Sequence, residues 1–594
     1  MECPKDRTKL GGRQIGPHVD FALLASWLKF CIKHHTKLCQ PNASNVASLP
    51  GFRVIDCDSR EVVPWDRLPP SAEFTALSYV WGGVGGNCAL AEFRLPSDIP
   101  LLIDDAIEVT RRLSYRYLWV DRYCIPQDND SDKHTQIQRM NLIYGSAAVT
   151  IIAAAGDDPR YGIPGVSLRP RKKQAVVHVG SRTLVSVDLN IRSQVKASKW
   201  HSRGWTYQEA YLSTRRLVFT DHMVYFQCCA MHCHETVSAP LEQLHTDSLQ
   251  RFRDAVCIAR LWPLRGLGKY PADLGDRIAE YSGKQLSVAS DALCAFEGIL
   301  ARFATMEPSV HAIWGVPVYN AQEITTSLSV GLSWCLAPSR WLGDWREAPR
   351  LSRRQGFPSW SWAGWVLNDG KCDFSLSFQP RFSPDKSTLS GAEGLVEIDM
   401  QCQDGEILSW RCHSDRMLRM GSQLKPAPEI LHISGLTYDC ELRVPRSGWA
   451  DRYYEPRPCS CGGNPEEISA IKAALTRSVE YSPADLSEQV FSIRIVALYL
   501  LKQKDTSRTQ VGEIMQLVLH RPTGSSLWER LMIGSCACGR FFSSTNRVLC
   551  SCAEAVRLHL RLRVRSSIEG EHAARERAYK ISQLPWKWRT SVVG

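Results

Sequence analysis

Three apolar runs, FTALSYVW (74–81), RYLWVD (116–121) and AVTIIAAAG (148–156), alternate with two stretches of helical periodicity, and no other feature limits the fold of this chain so tightly. In PLLIDDAIEVTRRLSY (100–115), Ile103, Ile107 and Thr110 or Leu113 recur at helical spacing, with Asp104 and Asp105 near the start. In DKHTQIQRMNLIYGSA (132–147), Ile137, Met140 and Tyr144 share one face. Strand, helix, strand, helix, strand with short connections predicts a parallel sheet covered by helices on both faces. Ligands of such sheets bind beyond the carboxyl ends of the strands. Here those ends are Ser78 to Gly83, Asp121 to Tyr123, and Gly156 with Asp157, the polar and small residues a crevice needs.

At 594 residues the chain is long enough for about three to five folding units. Its 44% hydrophobic and 22% charged residues place it among globular proteins rather than disordered ones. A formal charge of +11, from 72 basic and 61 acidic residues, permits contact with a polyanion without arguing for one. Nucleic acid is therefore not an expected partner. The start MECPKDRTKL has neither a secretory apolar region nor transit-peptide character, and the longest apolar runs are near ten residues, about half a membrane span. These features predict a cytoplasmic chain without membrane contact, its 22 cysteines reduced. Composition shifts divide it into a lead-in with one helix (1–70), the alternating core (71–228), a mostly helical stretch (229–370) ending in FPSWSWAGW, and a β-rich, cysteine-containing region (371–594). RLVFTDHMVYFQC (216–228) reads as a hairpin turning at Thr220 to His222.

The segment RGWTYQEAYLSTRRL (203–217) carries more polar chemistry than a core helix needs. In a helix from Trp205, residues Trp205, Glu209 and Leu212 share a face, which sets a carboxylate one turn beyond an indole. Such a pair suits a sugar hydroxyl or a cationic, sugar-like transition state. The same letters also spell a capping box, with Thr206 as N-cap and Glu209 reaching back to the cap amide, and that role needs no substrate.

Other constellations are weaker. WGGVGG (81–86) follows a strand but is neither G-x-G-x-x-G nor a Walker loop, and reads as a mobile loop over the crevice. Asp121 either holds a ribose hydroxyl or accepts amides of the following loop. Cys31, His35 and Cys39 invite a zinc reading, yet eight residues of continuous helix span about 12 Å, too far for three side chains to close on one ion. QCCAMHCHE (227–235) lacks C-x-x-C spacing and reads as structural thiols. In extended chain each of the pairs Cys459/Cys461, Cys536/Cys538 and Cys550/Cys552 points its sulfurs to one side, so CAC and CSC could supply four thiolates to zinc; they depart from the C-x2–4-C spacing of structural zinc, and ordinary reduced cysteine in turns is the alternative that spacing favours. VRLHLRLRVR (556–565) alternates as a half-buried strand with a basic outer face.

FTALSYVWG (74–82), LWVDRYCIPQDND (118–130) with QIQRMNLIYGSAAVTIIAA (136–154), and RGWTYQEAYLSTRRLVF (203–219) resemble, in order, the three signature blocks of the fungal heterokaryon-incompatibility (HET) domain. SWLKFCIKHHTKLC (26–39) and FPSWSWAGW (357–365) resemble flanking pieces of such proteins. The departures are Pro126, where the family usually has Asn, and Arg122-Tyr123 in place of a smaller apolar pair. The resemblance implies nonself recognition and regulated cell death. It also implies remote similarity to the Toll/interleukin receptor (TIR) domain, a flavodoxin-like α/β fold in which a glutamate four residues after a tryptophan cleaves the nicotinamide bond of NAD. By that resemblance Glu209 is the catalytic candidate, Trp205 packs on a ring of the ligand, and Ser78, Tyr79, Trp81, Gly82 and Asp121 shape the crevice. NAD is then a substrate, no cofactor is required, and self-association or a recognition protein completes the system. The alternative is a non-catalytic module that self-assembles or docks to a partner.

Overall fold

The computed structural model describes residues 11–41, 46–82, 93–126, 129–187, 190–244 and 260–319 apart from 265 and 269, and beyond them 324–338, 351–367 and a set of mostly extended stretches between 374 and 593. Two compact units are formed, Met1–Lys269 with Lys284–Ile299, and Tyr270–Gly283 with Leu300–Gly594.

The first unit is built on an eight-stranded mixed sheet. Its spatial order is His232–His234, Val224–Cys228, Arg215–Phe219, Val149–Ala153, Phe74–Ser78, Tyr117–Trp119, Arg53–Asp56 and Glu61–Pro64. The four central strands, from Arg215–Phe219 to Tyr117–Trp119, run parallel. Both flanks are antiparallel. The expected parallel sheet therefore forms the centre, and the hairpin expected over 216–228 supplies one of the antiparallel flanks. The physical reason is connection length: Arg215–Phe219 and Val224–Cys228 are joined by four residues, enough for a hairpin and far short of a parallel crossover.

The central strands are buried throughout, because helices cover both faces and no residue of Phe74–Ser78, Val149–Ala153 or Arg215–Phe219 meets water. Polar residues within them are paired internally: Thr75 Oγ1 with Thr110 Oγ1 at 2.7 Å, and Thr150 Oγ1 with Ser213 Oγ at 2.6 Å. The helix predicted over 100–115 is Leu101–Arg112. The one predicted over 132–147 breaks at Arg139 into Asp130–Gln138 and Met140–Ser146. By order of appearance in the chain the parallel strands lie 2-1-3-4, so the sheet changes direction of growth between Phe74–Ser78 and Val149–Ala153. That switch point is where an open α/β sheet leaves a crevice.

The lead-in helix is Phe21–His34, capped by Asp20 Oδ1, which accepts from Leu23 N at 3.0 Å. It ends before Cys39. His35 leaves the helical backbone, and the turn that follows folds Cys39 back, its N–H bonding His35 O at 2.8 Å. The objection that Cys31, His35 and Cys39 lie along 12 Å of one helix is thus removed.

In the second unit, helices Asp273–Ser282 and Ile324–Gly331 are accompanied by the hairpins His311–Ile313/Val316–Val318 and Leu351–Arg353/Trp365–Leu367. The stretch 229–370 is therefore mixed rather than mostly helical. The aromatic FPSWSWAGW is core: Trp360 and Trp362 are buried, Trp362 Nε1 donates to Gly315 O at 2.7 Å, and Trp360 O accepts from Trp334 Nε1 at 3.0 Å. Further on, antiparallel strands Glu397–Gln401, Ile430–Val444, Gln489–Lys504, Gln510–Arg521 and Glu529–Gly539 lie side by side. Cys536 and Cys538 sit in the last of these. The pairs at 459/461 and 550/552, the basic strand 556–565 and residues 83–86 of WGGVGG lie outside the described residues.

Candidate functional site

Ser78 is the last residue of the first parallel strand, and Glu209 lies in the helix Trp205–Leu212 that precedes the fourth. Across 131 residues of sequence, Ser78 Oγ donates to Glu209 Oε2 at 2.5 Å. Trp200 Nε1 in turn donates to Ser78 Oγ at 2.8 Å, so the indole fixes the hydroxyl and leaves its hydrogen for the carboxyl group. The Tyr144 hydroxyl, which lowers the proton affinity of Glu209, donates to Leu77 O at 3.1 Å.

The capping box is not formed. The helix cap is Gly204, without a side-chain cap bond, and Thr206 Oγ1 donates backwards to Trp200 O at 2.6 Å and to Arg203 O at 3.1 Å. With Thr206 turned to the short helix Lys199–Ser202, the carboxyl of Glu209 reaches the strand end instead of its own helix start.

A second carboxyl stands close by. Asp121, just after the strand Tyr117–Trp119, accepts from Trp81 Nε1 at 2.8 Å through Oδ2 and from Arg122 N at 2.7 Å through Oδ1. The amide that Asp121 accepts belongs to the first turn of the short helix Asp121–Cys124 rather than to a loop. Burial pushes the Glu209 carboxyl up to about 7, the Asp121 charge adds to the rise, and the Ser78 hydroxyl, Arg203 and Tyr144 oppose it. Burial likewise raises Asp121 to about 6, against its bonds from Trp81 and Arg122 N and the charges of Arg203 and Arg122. Two acids with raised proton affinities at one strand edge, sharing Arg203, form a site able to hold or release a proton near neutral pH.

Arg203 Nη1 donates to Tyr79 O at 2.8 Å. The Tyr79 side chain is buried, and its hydroxyl has no hydrogen-bond partner among the described residues. Gly82 has φ +67°, and a Cβ there would come within 2.8 Å of Pro159 Cδ and 2.9 Å of Asp158 Oδ2. The turn after the first strand therefore packs directly on the loop after the third, at the switch point. Glu209 is 5% exposed, whereas Trp81 is 39% exposed, Gly82 is also exposed, and Asp121 and Arg203 are half-buried.

Trp205 does not join this group through its polar edge: its Nε1 donates to Asp291 Oδ2 at 3.1 Å. The indole bonded into the Ser78–Glu209 pair is that of Trp200. Helical spacing within 205–212 could not reveal it, because Trp200 sits in a separate helical turn ended by Arg203, whose backbone is extended. Tyr144 and Arg203 were also missed; Tyr144 was legible only as one residue of an apolar helix face.

Residues 74–209 match the protein family described as heterokaryon incompatibility protein (HET). The chain carries a HET domain. The match opens on the strand that bears Ser78 and closes on Glu209, so the hydrogen bond between them joins the two ends of the HET domain. A curated relative from Neurospora crassa, heterokaryon incompatibility protein 6, OR allele, is 31% identical over 103 residues, covering 14% of this chain and 15% of the relative. The chain thus spans 15% of the length of the relative it matches. No solved structure matches. Among the described residues no helix is long and apolar enough to cross a membrane.

Proposed function

We propose that this HET-domain chain acts in fungal heterokaryon incompatibility, and that its HET domain hydrolyses NAD at the nicotinamide–ribose bond. The observation that carries the chemical part is the Glu209 carboxyl, brought to the carboxyl end of the first parallel strand by Ser78 and raised to about 7 by burial and Asp121. The 2-1-3-4 strand order agrees with a flavodoxin-like, TIR-like core, and the Tyr79 hydroxyl, without a partner among the described residues, offers a polar contact to a ligand. In the proposed step the C1′–N bond breaks with its electron pair leaving on nicotinamide. Ionised Glu209 stabilises the oxocarbenium-like ribose, and water adds to C1′ with loss of a proton. Because the ionised form is the useful one, turnover rises as pH increases through about 7. Purified protein incubated with NAD should release nicotinamide, and Glu209→Gln should lose that release while remaining folded. A wild-type protein without turnover, or an unimpaired Glu209→Gln, refutes the reading.

A second reading rests on the same burial. A carboxyl 5% exposed and bonded to Ser78 also serves as a structural latch between strand and helix in a non-catalytic, self-associating or partner-docking module. Retained toxicity of Glu209→Gln in a fungal cell-death assay favours the latch, and its loss with intact folding favours the chemistry.

A further inference from the structure

Residues from both flanks of the HET match converge in the first unit. Cys31 and His35 come from the end of the lead-in helix, Cys39 from the turn behind it, and Cys228 from the end of the strand Val224–Cys228. All four are buried, and their ligating atoms lie within 4.8 Å of one another. Zinc bonds of about 2.3 Å to sulfur and about 2.0 Å to nitrogen give tetrahedral ligand separations of about 3.5–3.8 Å. Cys228 Sγ and His35 Nδ1 are already 3.5 Å apart. We propose that Cys31, His35, Cys39 and Cys228 form a structural zinc site.

Two independent features of the surroundings suit thiolates rather than thiols. Cys228 Sγ accepts from the backbone N–H groups of Ala230 at 3.4 Å and Met231 at 3.3 Å. Arg215, buried in the adjoining strand, directs Nε at Cys31 Sγ at 3.2 Å, while its other nitrogens bond Cys39 O at 2.5 Å and Ala148 O at 3.0 Å. Three thiolates, one zinc dication and one guanidinium sum to zero charge, which removes the penalty of burying any of them alone. Binding releases the three thiol protons, and the neutral imidazole supplies the fourth bond. With four protein ligands and no position left open, the ion would be a staple rather than a catalyst, tying the lead-in helix to the hairpin edge of the sheet.

The test uses the full chain expressed with zinc and purified without chelator. About one cluster-bound zinc per chain is expected, and cobalt substitution should give the visible d–d bands of a tetrahedral thiolate site. Cys228→Ser and Cys39→Ser should lose that metal, whereas Cys412→Ser and Cys536→Ser should keep it. Should the serine variants fail to fold, His35→Cys, which preserves four ligands, should still bind cobalt with a shifted spectrum. Three results overturn the proposal: a wild-type chain without metal, metal retained in full by folded Cys228→Ser, and a disulfide among these cysteines found by non-reducing alkylation and mass measurement. Loss of metal on Cys536→Ser alone would assign the ion to the C-terminal thiols and likewise overturn it.

Discussion

Replacing Glu209 by Gln should make this protein more stable, increasingly so as pH rises from about 4.5 to about 7. The carboxyl rises from an ordinary 4.5 to about 7 in the fold, so the folded chain holds that proton more tightly than the unfolded chain does. Below pH 4.5 the group is neutral in both states and imposes no penalty. Between 4.5 and 7 the unfolded chain ionises first and stability falls, and above 7 the whole penalty of about 3 kcal/mol is present. Gln keeps the shape and an oxygen for Ser78 Oγ to donate to, but never ionises. Urea unfolding followed by tryptophan fluorescence should place Glu209→Gln about 3 kcal/mol above the parent at pH 8.5 and less than about 1 kcal/mol above it at pH 5. A difference equal at the two pH values would mean that shape, not charge, separates Gln from Glu. A less stable variant at pH 8.5 would show that the carboxylate is welcome in the fold, and the reasoning would fail.

Ser78→Ala removes the donor to Glu209 and the acceptor for Trp200 Nε1; urea titration should show a loss of about 1–3 kcal/mol, with the Glu209 midpoint moved further upward. The pair Arg171–Glu235, 3.0 Å apart with both side chains 2% exposed, is closed by Val224 N donating to Glu235 Oε2. Glu235→Gln leaves the buried Arg171 guanidinium without its counter-charge and should cost about 3–5 kcal/mol in the same assay. Gly82→Ala forces a left-handed backbone on alanine and drives its Cβ toward Pro159 and Asp158; thermal unfolding should register a loss of about 1–3 kcal/mol.

The central half of the first unit was legible because its information is local. Phe74–Ser78, Leu101–Arg112, Tyr117–Trp119 and Val149–Ala153 each declare themselves by period and apolar content, and their alternation fixes parallel pairing with helices between. Ser78, Asp121 and Glu209 were also within reach of the sequence, the first two as polar residues at strand ends and the third as an acid without an obvious apolar role. What the sequence could not state is which partner each polar atom takes. TYQE satisfies the capping-box pattern, yet Thr206 bonds Trp200 O, and Glu209 finds Ser78 from 131 residues away. Likewise the arithmetic of a straight helix separates Cys31, His35 and Cys39, whereas a helix end at His34 together with a strand end at Cys228 brings three sulfurs and an imidazole nitrogen within 4.8 Å of one another. Periodicity is set by neighbours along the chain, so sequence determines the elements. Hydrogen-bond and ligand partners are set by where separate elements end against one another, and only the packed tertiary structure decides that.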